Sequence, residues 1–127
     1  MELKMAAGYN TTPRKEGKRK MYKHEIETLK RISSRLRERF HEDIISLYAF
    51  GSRVRGDHDA WSDFDVLVVV NNKNPTLEDK IMAIFVEEEI RNGLSFAPVI
   101  KDHRAFDLER QHNSPFYNNI TKEGILI

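Results

Sequence analysis

The chain reads GSRVRG at residues 51–56 and SDFDVLVVV at residues 62–70, and these two stretches decide its fold. An apolar run at residues 44–50 leads into the first stretch, and valines dominate the second. Both patterns predict buried strands, at residues 44–50 and 62–70. The sequence therefore places a glycine-serine turn after one strand and two aspartates at the start of the next.

Helices are predicted around this pair of strands. Apolar residues recur every three or four positions across residues 22–40, which is typical of an amphipathic helix. A second helix is predicted to begin at Thr76 as its N-cap and to end at Gly93, which suits a left-handed C-terminal cap. Two shorter helices are predicted, one at residues 102–110 and one that Ser114 caps.

A third strand is predicted at residues 94–100. Pro98 has no N–H to donate, so this strand is expected at an edge of the sheet or with an irregularity. Residues 125–127 are predicted to add a terminal strand or to pack on the core. Because strands alternate with helices, the sequence predicts an α/β fold: an α+β sandwich with a short mixed β-sheet flanked by helices.

Asp63 and Asp65 form a candidate catalytic and metal-binding pair. Alternate residues of a strand point to the same face, so the two carboxylates are expected to lie side by side. Such carboxylates repel each other unless a cation lies between them. Mg²⁺ commonly takes one or two carboxylates and leaves its other positions to water and phosphate. The alternative is that both residues only cap or turn the chain at the strand start.

Gly51 and Ser52 are candidates for holding phosphate. Glycine lets backbone N–H groups approach an anion closely, a following helical turn favours an anion, and the serine hydroxyl adds a donor. Arg53 and Arg55 add positive charge at the same place, although surface positions would also explain them. A phosphate cradle that faces a metal-binding carboxylate pair is what nucleotidyl transfer requires.

The pattern Gly-Ser-Arg-x-Arg-Gly followed by Ser-Asp-x-Asp and an apolar strand resembles the polymerase-beta-type nucleotidyltransferase superfamily. More narrowly, it resembles the minimal, single-domain members of bacteria and archaea, and residues 114–125 resemble their tails. The resemblance implies Mg²⁺-dependent transfer of a nucleoside monophosphate from an NTP, with ATP as the first candidate, to a hydroxyl group. It also implies that Gly51 and Ser52 hold the triphosphate and that Asp63 and Asp65 hold the metal.

The resemblance also implies partners. Many minimal members occur beside an all-helical, nuclease-like partner protein, and some are antitoxins that adenylylate this toxin. A hydroxyl on a protein is therefore one candidate acceptor. A homodimer is a further expectation, since small domains of this type with exposed helices often pair.

One position departs from the family pattern. Active members usually carry a third carboxylate on a later strand, whereas residues 94–100 contain no acid. Asp102 lies just past that strand and is a candidate third metal ligand, but its position is more typical of a helix N-cap. Glu87, Glu88 and Glu89 are alternative candidates for the third carboxylate, but a solvated helix face explains them better. The alternative function is therefore a catalytically weak or inactive nucleotide-binding, antitoxin-like protein on the same fold.

Charge is distributed unevenly along the chain. Residues 1–40 carry 12 Lys and Arg against 5 Asp and Glu, and the remaining residues carry 9 against 15. Residues 1–20 lack apolar periodicity, so a basic, mobile N-terminal segment is predicted ahead of a nucleotidyltransferase-like domain at residues 21–127. The basic residues of 14–39 could bind nucleic acid, and a solvated terminus and helix face is the simpler alternative.

Composition limits the remaining classes of protein. Hydrophobic residues make up 39% and charged residues 32%, as expected of a soluble globular domain. The absence of cysteine excludes disulfides and thiolate zinc sites. The longest apolar run is far too short to cross a bilayer, and the N-terminus lacks the pattern of a signal peptide. A cytoplasmic protein without a membrane partner is therefore expected.

Overall fold

The computed structural model describes residues 4–5, 21–56 and 62–127. Its helices are α1 (Lys23–Phe40), α2 (Ser52–Arg55), α3 (Pro75–Asn92), α4 (His103–Gln111) and α5 (Pro115–Glu123), and a short 3-10 turn follows α1 at His41–Asp43. Its strands are β1 (Lys4–Met5), β2 (Ile44–Phe50), β3 (Phe64–Val70), β4 (Phe96–Asp102) and β5 (Ile125–Leu126). These strands form one sheet in the order β1-β5-β2-β3-β4.

The sheet is mixed, as the sequence predicts. β3 and β4 are parallel and are joined through α3, whereas the pairs β2–β3, β2–β5 and β1–β5 are antiparallel. The predicted α/β architecture with flanking helices is thus confirmed. The sequence predicts a mobile segment at residues 1–20, whereas Lys4 and Met5 of that segment form β1 by pairing with β5. A strand of two residues shows no periodicity that the sequence alone could display.

Both faces of the sheet are covered by helices. One face packs on α1 and α3 through Leu47, Ala49, Phe64, Val66, Val68, Phe96 and Ile100. The other face carries Tyr48, Phe50, Leu67, Val69 and Val99 and packs on α4 through Phe106 and on α5 through Phe116 and Ile120. β3 is therefore buried on both sides, which explains its unbroken run of apolar residues.

The helix ends follow the sequence with one correction. Gly93 caps α3 in the left-handed conformation, with φ of 75°, and the Ser114 side chain accepts from the Tyr117 N–H at the start of α5. The N-cap of α3 is Asn74, whose side chain accepts from the Leu77 N–H, so the prediction of Thr76 is wrong. Pro75 occupies the first turn of α3, where its missing N–H would have no helical partner.

Pro98 lies on an edge strand, as predicted. The Phe64 N–H donates to the Ser95 carbonyl at 2.8 Å, so by the alternation of a parallel ladder Ser95 and Ala97 direct their backbone groups toward β3. The backbone groups of Phe96 and Pro98 then point away from β3. Pro98 therefore removes no hydrogen bond from the sheet. The Phe96 N–H on the same outer edge donates to the Glu89 carboxylate at 2.8 Å.

A buried ion-pair cluster joins α1 to α3. Glu88 is 0% exposed, and its two carboxylate oxygens accept from the Arg31 Nε at 2.9 Å and the Arg35 Nη1 at 2.8 Å. Burial by itself would raise the pKa of Glu88, but the hydrogen bonds from both arginines hold it below its usual value. The interpretation of a solvated face is thus wrong for Glu88, although Glu87 is exposed.

Glu88→Ala is expected to destabilise the fold by about 2–4 kcal/mol, because two arginines lose the charge that compensates them. The loss stays below that of a fully buried pair, since both arginine side chains reach solvent. Urea denaturation would measure it. Glu87→Ala is the matched control: Glu87 pairs with Arg35 on the surface, so its loss should cost less than about 1 kcal/mol. Equal losses of stability in Glu88→Ala and Glu87→Ala would contradict the distinction between a buried and a surface ion pair.

The same cluster bears on the predicted nucleic-acid surface. Arg31 and Arg35 are engaged by Glu88, and Arg37 donates to the Ile127 carbonyl at 3.1 Å. These three arginines thus connect α1 to α3 and to the C-terminal residue. The basic residues between positions 14 and 20 lie outside the described residues, and nucleic-acid binding through residues 14–39 stays a prediction. Within the described parts of the chain, no helix is long and apolar enough to span a membrane.

Candidate active site

The hairpin of β2 and β3 brings the glycine-serine turn next to the aspartates. Phe50, the last residue of β2, pairs with Asp65 near the start of β3, and Gly51 follows Phe50 directly. The two halves of the sequence pattern therefore meet at one end of the sheet. Residues 57–61, which connect them, lie outside the described residues.

Gly51 touches the Asp65 carboxylate. Its backbone has φ of 83° and ψ of −166°, a conformation that essentially only glycine adopts. A Cβ added to Gly51 would lie 2.1 Å from the Asp65 Oδ2, which leaves no room for any side chain. The need for glycine thus has two causes here, the backbone conformation and the close approach of a carboxylate.

A single helical turn, α2, carries the residues that follow Gly51. The N–H groups of Val54 and Arg55 donate to the Gly51 carbonyl, which confirms the helical turn on which the phosphate prediction depends. Val54 is buried and anchors α2 to the core, while Ser52 is half-buried and Arg55 is exposed. No described residue hydrogen-bonds to the Ser52 hydroxyl.

Arg53 braces the site from the inner side. Its Nε donates to the Ser62 carbonyl at 2.9 Å, its Nη1 lies 3.6 Å from the Glu25 carboxylate, and its guanidinium covers the Phe64 ring at 4.7 Å. The side chain is only 12% exposed. These contacts favour Arg55 over Arg53 as the residue that reaches phosphate.

Glu25 is a residue of the site region that the sequence analysis did not identify. It is buried in the first turn of α1, where it also accepts from the Tyr22 N–H at 2.7 Å. Its position three residues after the helix N-cap is the signal that could have drawn attention to it. Through Arg53, it ties α1 to the segment that precedes Asp63.

The two aspartates lie in different surroundings. Asp63 is exposed, whereas Asp65 is half-buried on the sheet face that also carries Leu67 and Val69. Burial raises the pKa of Asp65, and the charge of Asp63 raises it further, while Arg55 acts in the opposite direction. The surroundings of Asp65 thus disfavour the charged form of its carboxylate, as expected where a cation normally binds.

Asp65→Asn is expected to stabilise the free protein at neutral pH. A carboxyl whose pKa is raised by folding supports the folded state fully below its ordinary pKa, and this support is lost as pH rises through the raised value. Thermal unfolding should therefore show equal midpoints for wild type and variant near pH 3.5 and a higher midpoint for the variant at pH 7. A lower midpoint for the variant at pH 7 would contradict the claim that the charged Asp65 carboxylate destabilises the free protein.

Glu123, the last residue of α5, also lies near the aspartates. Its Oε1 accepts from the Arg55 Nη1 at 2.8 Å, and its charge contributes to raising the pKa of Asp65. In the sequence, residue 123 stands out only as part of the family-like tail. Its place is set by the C-terminal segment, because Ile125 pairs with Ala49 of β2, two residues before Gly51.

Asp102 is remote from this site. The parallel register pairs Ala97 with Asp65 and Asp102 with Val70, so Asp102 lies about 16 Å further along β4. Its side chain caps α4 by accepting from the Arg104 N–H at 2.8 Å, and this bond lowers the pKa of Asp102. The suggestion that Asp102 completes the metal site is therefore wrong. The β4 position beside Asp65 is an alanine.

The described residues contain no group of three or more histidine, aspartate or glutamate side chains that could hold a metal ion. Asp63 and Asp65 remain as a pair. This agrees with the coordination that Mg²⁺ favours in nucleotide sites, where carboxylates supply one or two positions and phosphate and water supply the others.

A cavity of about 330 Å³ lies elsewhere on the same sheet face. Ser46, Val69 and His103 line part of it, at the end of the sheet opposite to Gly51. Neither Asp63 nor Asp65 lines it. Its size therefore does not make it part of the site that the aspartates define.

Comparison with known proteins gives two findings. A family model described as a nucleotidyltransferase domain matches residues 29–111, more than half of the chain and all of the β2–β3 hairpin. A protein of Methanocaldococcus jannaschii that is provisionally named a protein adenylyltransferase is 33% identical over 76 residues. That match covers 58% of this chain and 52% of the relative, so this chain spans about half the length of the relative.

Proposed function

The chain belongs to the nucleotidyltransferase domain family, and we propose that it transfers a nucleoside monophosphate from an NTP to a hydroxyl group. The observation that carries this proposal is the contact between Gly51 and the Asp65 carboxylate, which lies inside the matched residues. A turn able to hold phosphate and a carboxylate able to hold metal are thus joined without an intervening side chain.

Each residue has a role in the proposed reaction. Gly51, Ser52 and Arg55 would bind the triphosphate, while Asp63 and Asp65 would hold Mg²⁺. The residues fit this ion, because a cation beside Asp65 offsets the cost of burying its charge and the repulsion between its carboxylate and that of Asp63. Mg²⁺, when bound, neutralises the phosphate charge and so favours departure of pyrophosphate. Arg53 would position Asp63 through the Ser62 carbonyl.

ATP and a protein hydroxyl are the proposed donor and acceptor. The name of the archaeal relative, a protein adenylyltransferase, supports this choice, although this chain matches only part of that protein. An all-helical, nuclease-like protein is the first partner to test as the acceptor, and a homodimer is a further proposal.

Calorimetric titration of the chain with ATP and with GTP tests the proposal, each with Mg²⁺ and again with EDTA. Metal-dependent binding is expected, with ATP bound more tightly. Absence of binding to either nucleotide, in a chain whose circular dichroism shows the helices and strands described above, would reject the site.

Labelled nucleotide separates nucleotidyl transfer from phosphoryl transfer. Label in the α-phosphate of ATP should appear on the acceptor protein and resist phosphatase, since AMP is attached through a phosphodiester. Label in the γ-phosphate should leave with pyrophosphate. Incorporation of the γ-label would point to a kinase-like reaction instead.

A second function is favoured by Ala97. Because the β4 position beside Asp65 carries no acid, the site lacks the carboxylate that usually acts as base for the incoming hydroxyl. The chain could then be a nucleotide-binding, antitoxin-like partner with weak or no catalysis. Metal-dependent ATP binding without transfer of the α-label to its partner would favour this second function.

A further inference from the structure

The Arg55–Glu123 ion pair lies beside the candidate site, and the proposed reaction gives it no role. Arg55 is the last residue of α2, three positions after Ser52, and its side chain is 41% exposed. Glu123 binds it through one 2.8 Å contact from the end of α5. Arg55 and Glu123 shift the pKa of Asp65 in opposite directions, so both lie within electrostatic reach of the carboxylate that would hold metal.

The backbone at Glu123 has little freedom to move. Gly124 follows it so tightly that an added Cβ would lie 2.4 Å from the Ile120 carbonyl oxygen. Ile125 is already hydrogen-bonded into the sheet against Ala49. The backbone of Glu123 is thus held between a helix end and a strand, so only rotations of its side chain could follow Arg55 if that side chain turns toward a ligand.

The guanidinium of Arg55 is able to bind either the Glu123 carboxylate or a phosphate. It stays charged at any pH that the protein experiences, and its planar fork fits carboxylate and phosphate equally well in shape. A triphosphate bound at Gly51 and Ser52 carries more charge than one carboxylate. It would lie beside α2, the single turn that also carries Arg55. Phosphate and Glu123 would therefore compete for the same donors.

We propose that Glu123 is an internal competitor for the triphosphate, so that nucleotide binding exchanges the Glu123 carboxylate for phosphate oxygens on Arg55. The inference rests on the proposed function, because it needs phosphate at Ser52. The exchange lowers the affinity for nucleotide and keeps the site closed to anions that cannot displace a carboxylate. It also leaves Glu123 without its cation next to Asp65 when nucleotide is bound.

The direction in which one substitution changes the affinity for ATP tests the exchange. Glu123→Gln removes the competing charge but keeps the shape of the side chain, so the affinity for ATP with Mg²⁺ should rise about two- to fivefold, the range set by a partly exposed ion pair. If Glu123 instead orients Arg55 for phosphate, the same substitution should weaken binding. Calorimetry with ATP, and with inorganic tripolyphosphate as a probe without a nucleoside, measures the change.

Two further variants assign the effect to Arg55. Arg55→Gln should weaken ATP binding. In that background, Glu123→Gln should raise the affinity for ATP by less than half of the increase that it causes in the wild-type protein. Glu78→Gln is the matched control, because Glu78 pairs with Lys73 at the far end of the sheet and its loss changes the net charge equally. Its affinity for both ligands should equal that of wild type.

The outcomes are distinguishable. Binding by Glu123→Gln that is unchanged or weaker than wild type overturns the exchange and leaves the proposed function intact. A gain of equal size with and without Arg55 also overturns it, since it would reflect general repulsion by Glu123. A folded wild-type chain that binds neither ligand would remove the proposed function and the exchange together. If Glu123→Gln lowers the unfolding midpoint, Glu123→Ser repeats the comparison.

Discussion

The double substitution of Asp63 and Asp65 by asparagine is expected to abolish Mg²⁺-dependent nucleotide binding, with a loss in affinity of more than about a hundredfold. Loss of groups that merely orient metal ligands already costs about 10- to 100-fold, and here the charged ligands themselves disappear. Asparagine keeps the shape of aspartate, so the β2–β3 pairing should persist. Calorimetric titration with ATP in the presence of Mg²⁺ would measure the loss.

Asp102→Asn is the control for this experiment. It makes the same chemical change at the opposite end of the parallel pair, where the side chain caps α4. Nucleotide affinity should therefore equal that of wild type, although the variant loses part of a helix cap. Binding that survives the double substitution would remove the metal-binding role of Asp63 and Asp65.

Gly51→Ala is expected to destabilise the fold by about 2–4 kcal/mol and to remove nucleotide binding. The backbone conformation alone costs a residue with a Cβ about 1–3 kcal/mol. The new methyl group must also displace the Asp65 carboxylate, whose Oδ2 would lie 2.1 Å away. Because the phosphate turn and the metal carboxylate are forced apart, both halves of the site are lost. Urea denaturation and calorimetry would report the two effects.

Gly93→Ala is the comparison without crowding, at a backbone conformation (φ 75°, ψ 9°) that is less restricted than that of Gly51. Gly93 has a similar φ of 75°, but nothing lies within 4 Å of an added Cβ, so about 1 kcal/mol should be lost and nucleotide binding kept. Adding Asp65→Ala to Gly51→Ala should recover part of the stability, since the clash disappears. If adding Asp65→Ala recovers none of the stability lost in Gly51→Ala, the contact with Asp65 has no energetic weight.

Much of the fold could be predicted because its signals are local. The apolar run that forms β2 and the valine run of β3 are both visible without knowledge of their partners. The same holds for Gly93 and Ser114, whose capping geometry depends on their own neighbours. The glycine-serine turn and the aspartates lie within 15 residues of each other, so one antiparallel hairpin suffices to assemble them.

The remaining features depend on register and on distant partners. Asp102 is close to the third strand in sequence, and only the parallel pairing of β3 with β4 shows that it lies far from Asp65. Glu88 has the same local surroundings as Glu87, and it is buried because α1 crosses α3 at that turn. Likewise, no local pattern connects Arg55 to Glu123, which follows it by 68 residues.

The outer edge of β4 also limits how this protein can associate with itself. An edge strand with free backbone groups is a template on which other chains add strands, the first step of β-aggregation. Here the Phe96 N–H is occupied by Glu89, and Pro98 has none to offer. The outer edge of β4 is thus a poor seed for fibril growth.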